Sequence, residues 1–227
     1  TFRHGHTILW IVGALTSQSL APHRGAFGPT LHEIVITFSL FAVLLIIFES
    51  RLDRIIALAA GSVTAGSSWV RHFVPAYDGT GLTIVHDVAV ALFLGFAVVE
   101  ILRNIFRRRS VRADDVVGSV CGFLLAGGAW ASLYSLVDQV VAGSFLISPS
   151  LAAQLDGWHS RQAMFEYFSF VTLATIGYGD VTPVRGPATA LAWLEAVFGQ
   201  FYIAVVVAQL VAVRLTQALR PDDPGPG

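Results

Sequence analysis

Apolar residues in this 227-residue chain are gathered into long blocks. Six of them, at 7–21, 31–48, 55–74, 82–102, 116–141 and 188–219, read as membrane spans, because about 20 apolar residues in a helix cross the hydrocarbon core of a bilayer. The first block is short and holds Thr16, Ser17, Gln18 and Ser19, so a cleaved signal peptide is its rival reading. A further apolar run at 161–174 reads as a short helix that stops in a glycine-rich stretch, and Pro183 with Gly186-Pro187 then breaks the chain before the sixth block. The pattern therefore predicts six transmembrane helices, with one re-entrant segment between the fifth and the sixth.

Composition and charge place the chain in lipid. It is 55% hydrophobic and 13% charged, with a mean hydropathy of +0.68, values foreign to a soluble domain of this size. With both termini inside the cell, Arg3, Arg51, Arg54, Arg103, Arg107, Arg108, Arg109, Arg112, Arg214 and Arg220 are cytoplasmic, and Arg24, Arg71, Arg161 and Arg185 are external. That bias obeys the positive-inside rule and predicts a multi-pass protein of the plasma (cell inner) membrane with both termini cytoplasmic. The net charge of -1 gives no footing for a nucleic-acid partner, and Cys121 alone allows no disulfide within the chain. Metal clusters, nucleophile triads and phosphate loops are not seen in the sequence, so no enzyme and no cofactor are expected. Thr1 leaves room for residues upstream, and 220–227 reads as a disordered tail with no nucleotide or Ca²⁺ sensor after it.

The candidate chemistry lies in Thr175-Ile176-Gly177-Tyr178-Gly179-Asp180. Stripping water from a cation requires rings of oxygens at fixed spacing, and a short extended strand supplies them as backbone carbonyls if its side chains stay out of the way. Turning successive carbonyls to one side takes backbone angles that glycine tolerates best, which accounts for Gly177 and Gly179. This stretch resembles the selectivity filter of the pore-loop potassium channel superfamily; a glycine-rich turn between two helices is the plain alternative. The resemblance is closest over 116–219 and implies a small prokaryotic-type six-transmembrane channel. Its fold would be all-α, with six transmembrane helices plus a re-entrant pore helix and selectivity filter, assembled as a four-fold homotetramer because one loop supplies a quarter of a pore. It implies K⁺ as the permeant ion, held at Thr175, Ile176, Gly177 and Tyr178, with Gly179 completing the filter, Ile176 and Tyr178 directed backwards and the Thr175 hydroxyl forming the innermost ring. The implied activity is potassium-selective conduction. A nonselective cation channel of the same architecture, or a potassium transporter subunit, is the alternative. The layout becomes a peripheral four-helix unit at 1–102, a basic linker at 103–115, a pore domain at 116–219 and a tail at 220–227.

Other residues take their roles from this frame. The 82–102 span lacks arginine, so conventional voltage sensing is not expected. Its His86, Asp87 and Glu100 read as interfacial side chains, with His86 and Asp87 snorkelling or pairing with Arg71 and His72, and a proton-sensing or ligand role as the alternative. Arg103, Arg107, Arg108, Arg109 and Arg112 read as topogenic charge that meets anionic lipid headgroups, or as a lever on the fifth helix. Gly118, Gly122 and Ala126 offer a small-residue face for the sixth helix or a neighbouring subunit. Ser148-Pro149 and Asp156-Gly157 mark an outer turret, in which His159 reads as a surface residue. On the sixth span, Gly199 suggests bending or close packing, while Gln200, Ile203, Val207, Val211 and Leu215 share one face, assigned to the inner cavity. Glu195 is expected to accept hydrogen bonds from the pore helix or the surroundings of the filter, with direct ion binding as the alternative. Relatives often carry two tryptophans where Tyr167 and Phe168 stand and, in some, a carboxylate where Val171 stands. Tyr167 is thus left to brace Asp180, while Phe168 has no donor for Tyr178.

Overall fold

The computed structural model describes residues 51–73, 80–107, 113–155 and 158–218, together with Thr37. The spans expected at 7–21 and 31–48, the arginines at 108, 109 and 112 and the tail at 220–227 lie outside the described residues, as do Asp156-Gly157 and the side chain of His159. Within them the order is α1 (Arg51–Phe73), α2 (Thr80–Arg107), α3 (Ala113–Val140), β1 (Phe145–Ile147), α4 (Pro149–Ala152), α5 (Trp158–Leu173), β2 (Val181–Pro183) and α6 (Gly186–Ala218).

Among the described residues, three helices are long and apolar enough to cross a membrane, over Gly81–Arg107, Val116–Val140 and Gly186–Gln209. The chain is thus a mostly helical integral membrane protein. The 55–74 block does form a helix, α1, but Gly61, Ser62, Thr64, Gly66, Ser67 and Ser68 make its middle too polar to join those three. Its hydroxyls are spent locally, Thr64 Oγ1 donating to Ala60 O at 3.0 Å and Ser67 Oγ to Thr64 O at 2.9 Å. A helix in lipid must satisfy its polar groups internally in this way.

Helix α2 lies between α1 and α3. Ala89, Phe93, Ala97, Ile101 and Ile105 recur every fourth residue and are all buried, whereas Val88, Leu92 and Val99 stay exposed on the other side, as expected of a helix with one face on protein and one on lipid. Small residues bring the bundle together. A Cβ on Gly128 would stand 2.9 Å from Leu94 Cδ1 of α2, and one on Gly127 would overlap the Phe170 ring of α5. The expected small-residue face of α3 works at Gly122, where a Cβ would collide with the Tyr202 hydroxyl of α6, while Gly118 meets open space. Tyr202 uses that approach to donate its O–H to Ser119 O at 2.7 Å.

Two apolar cores result. One joins α2, α3 and α6 around Phe93, Ile101, Leu125 and Val206. The other joins α3, α5, α6 and a small ribbon around Tyr134, Phe145, Phe165, Phe168 and Val181. The ribbon is a small addition to a fold that is otherwise helical, as expected. β1 and β2 pair antiparallel, Phe145 opposite Pro183, Leu146 opposite Thr182 and Ile147 opposite Val181.

Candidate ion-conduction site

Helix α5 starts at Trp158, three residues before the expected 161, and ends at Leu173. Its end is closed by two crossed backbone bonds, Ile176 N–H to Val171 O at 2.8 Å and Thr175 N–H to Thr172 O at 2.9 Å. This is the Schellman arrangement, which requires a left-handed residue at the first position beyond the cap, usually glycine. Thr175 fills it with φ +55°, an uncommon angle for a β-branched residue and a strained one. The helix thereby spends its last-turn carbonyls on its own cap and hands the chain directly into the candidate filter.

From there the backbone alternates. Thr175, Gly177 and Gly179 have φ of +55°, +63° and +78°, while Ile176 and Tyr178 are not among the positive-φ residues. A chain that changes handedness at every residue turns successive carbonyls to one side, the arrangement that a row of cation ligands needs. A Cβ at Gly177 or Gly179 would meet nothing within 4 Å, so the backbone angle rather than space calls for glycine there. Ile176 and Tyr178 are exposed on the single chain, at 53% and 68%. The Thr175 hydroxyl lies 3.4 Å from Gln200 Nε2.

Outside this segment, Tyr167 donates its O–H to Asp180 Oδ2 at 2.7 Å and its ring stacks parallel on Tyr178 with centroids 6.3 Å apart. Asp180 Oδ1 accepts the Val181 N–H at 3.1 Å. Phe168 turns away into the second core, edge-on to Tyr134 and Phe145. Val171 is buried. At the other end of α5, Arg161 bonds Asp138 of α3 through Nε at 2.8 Å and Nη2 at 2.5 Å.

Behind the segment sits Glu195, fully buried. Its Oε1 lies 2.5 Å from Ser169 Oγ of α5, and its Oε2 accepts the Tyr134 hydroxyl of α3. Ser169 Oγ also bonds Gly127 O at 2.8 Å. Three contacts thus share two hydroxyl protons. Since a carbonyl cannot donate, the set closes fully only when Glu195 carries a proton and gives it to Ser169. One turn further, Gly199 is packed so closely that a Cβ would overlap the Leu173 carbonyl oxygen. Close packing is therefore seen at this glycine. Gln200, Ile203, Val207, Val211 and Leu215 are all exposed on the single chain.

Two expectations for α2 need correction. His86 and Asp87 are not at an interface with water or headgroups: they are 6% and 0% exposed, because α1 and α3 flank them. His86 Nδ1 meets Ser67 Oγ of α1 at 2.8 Å, and Asp87 Oδ2 accepts from Ser135 Oγ at 2.7 Å and Gln139 Nε2 at 2.6 Å, both on α3. The side chains of Arg71 and His72 lie outside the described residues. Glu100 is likewise buried, and Arg103 reaches it at 3.6 Å. Sequence reasoning missed Tyr134, Ser169, Ser135 and Gln139 as partners. Matching buried carboxylates to polar residues at the same depth on adjacent helices is the signal that finds them.

Residues 139–215, which hold β1, α5, the candidate filter, β2 and most of α6, match the ion channel family. Over these residues the chain is similar to the pore-loop channel superfamily. That is a family of channels and not of enzymes. Protein LctB of Geobacillus stearothermophilus is 38% identical over 93 residues, which are 40% of this chain and 63% of that protein. The chain therefore spans less than two thirds of that relative's length. No solved structure matches it significantly.

Proposed function

We propose that this protein is a potassium-selective channel, in which four copies bring their 175–179 segments around one axis and pass K⁺ through stacked rings of carbonyl oxygens. The observation that carries this reading is the alternating backbone, with positive φ at Thr175, Gly177 and Gly179, which turns the oxygens of Thr175, Ile176, Gly177 and Tyr178 to one side. Each chain contributes one such segment, so a closed ring of four is the assembly that completes it. The C-terminal end of α5 points its helix dipole toward the same place, which favours a cation there. The exposed face of Gln200, Ile203, Val207, Val211 and Leu215 lines the inner cavity.

On this reading six spans surround each quarter of the pore, both termini are cytoplasmic and the site of action is the plasma membrane. Gating does not use a conventional voltage sensor, since α2 carries its arginines only at Arg103 and Arg107, at its end. The basic stretch of Arg103, Arg107, Arg108, Arg109 and Arg112 meets anionic lipid, with Arg103 shared between lipid and Glu100.

The test is Gly177→Ala in purified protein fused into planar bilayers. An L-residue held left-handed costs about 1–2 kcal/mol, and four copies multiply that cost, so the variant should lose K⁺ current while assembling normally. Currents equal to wild type would contradict the filter.

A further inference from the structure

The ribbon between β1 and β2 is absorbed neither by the filter motif nor by the packing of the helices, and its position is telling. β2 starts at Val181, two residues beyond Gly179. β1 is planted in the aromatic core through Phe145, which meets Tyr134, Phe165 and Phe168 edge-on at centroid distances of 5.0 to 5.7 Å. One end of the ribbon is closed by Val184 N–H to Ser144 O at 2.8 Å, and the other by Ser148 N–H to Asp180 O at 2.8 Å. The second bond fixes the peptide that leaves the candidate filter. Thr182 adds a longer contact from its hydroxyl to Gly179 O at 3.3 Å.

Asp180 is therefore held in two ways. Its carboxylate is gripped by Tyr167, a 38% exposed side chain, and its main chain by a strand whose root is buried. A side-chain bond at an exposed site opens with each rotamer change, whereas a backbone bond at the end of an anchored ribbon opens only if the ribbon frays.

We propose that the Ser148 N–H is the principal brace of the outer end of the filter, and that fraying of the 145–148 strand is the step that lets the filter leave its conducting form. Ser148 is a positioning residue acting through Asp180. The inference rests on the reading of 175–179 as a potassium filter. It accounts for a tolerated departure at the cuff: Phe168 offers no donor to Tyr178 because the ribbon does the holding.

The geometry allows a selective test. Ser148 has φ -59° and ψ 144°, the angles that proline imposes, and Ile147 before it is in a strand, as a residue preceding proline prefers. S148P thus removes the N–H and sets its ring Cδ against the Asp180 oxygen, opening this end of the ribbon, while S148A keeps the N–H and removes a hydroxyl that meets Ser150 Oγ at 3.4 Å. Single-channel open probability is read for wild type, S148A and S148P, at low and high K⁺ on both sides. S148P is expected to lower it by at least about fivefold, since each subunit loses one ordinary hydrogen bond, and S148A to leave it unchanged. The deficit should shrink at high K⁺, since an ion bound in the filter favours the conducting form by mass action, which a general folding defect would not reproduce. S148P equal to S148A overturns the proposal, as does a deficit insensitive to K⁺.

If S148P does not assemble, the pair Leu146→Cys with Thr182→Cys, directly opposed in the ribbon, decides. Oxidising that pair should raise open probability and dithiothreitol should reverse it; no difference between the two states overturns the brace. A wild type that passes Na⁺ as readily as K⁺ overturns the potassium reading alone, and the ribbon is still judged by the open probability of that current.

Discussion

Asp87 and Glu195 are both carboxylates with 0% exposure on otherwise apolar helices, and both are anchored on consecutive residues of α3, Ser135 and Tyr134. Their surroundings differ in what they join. Asp87 accepts from Ser135 and Gln139 of α3, so it ties α2 to α3. Glu195 bonds Tyr134 of α3 and Ser169 of α5 while sitting on α6, so it ties together all three helices around the candidate filter. A buried carboxyl is costly in lipid unless its donors are supplied, and here the two sites spend that cost on different joints. The α2–α3 joint concerns how the periphery holds the pore. The other concerns the pore itself.

The comparison breaks most readily at Glu195. Replacing it with alanine leaves the buried Tyr134 hydroxyl without its acceptor, at about 1–3 kcal/mol in each copy, while Ser169 keeps Gly127 O, so Glu195→Ala should lose much of its assembly or its current. Glu195→Gln should keep both, because an amide accepts from Tyr134 and donates to Ser169 as the protonated acid does. Size-exclusion chromatography and bilayer recording of the two variants check this, and a glutamine variant as damaged as the alanine one would remove the proton from Glu195. A smaller effect is expected at the other carboxylate. Asp87→Ala should lower the unfolding temperature in detergent but leave K⁺ selectivity intact, and a change in ion preference would show that the peripheral joint reaches the filter.

The smallest effect is expected at Tyr167. Tyr167→Phe removes one exposed bond to the Asp180 carboxylate, a place that water can take, and should lower open probability or speed inactivation without changing which ion is preferred. Equal open probabilities in symmetric K⁺ would leave the main-chain brace alone at that end.

The candidate filter was legible in sequence because its requirement is local: a left-handed angle at fixed positions is written as Gly177 and Gly179. The bond between Tyr167 and Asp180 was legible for the same reason, since the distance from pore helix to filter is short. Strands β1 and β2 were not. Phe-Leu-Ile and Val-Thr-Pro are too short to carry a period, and a proline inside one of them argues against a strand; their pairing depends on the seat that Phe145 finds among α3 and α5. The depth of His86 and Asp87 was misread because they lie near one end of their span, and the covering helices are what bury them. At Gly199, packing or bending were both open from the residue alone, and the position of the Leu173 carbonyl is what shows the packing.

The central claim is that the carbonyl rows of four chains select K⁺. Bi-ionic recording of the purified protein, with K⁺ on one side of a planar bilayer and Na⁺ on the other, tests it most directly. The account predicts a reversal potential displaced close to the K⁺ equilibrium value. A reversal near zero, as for a channel that does not distinguish the two ions, or one near the Na⁺ equilibrium value, would contradict it.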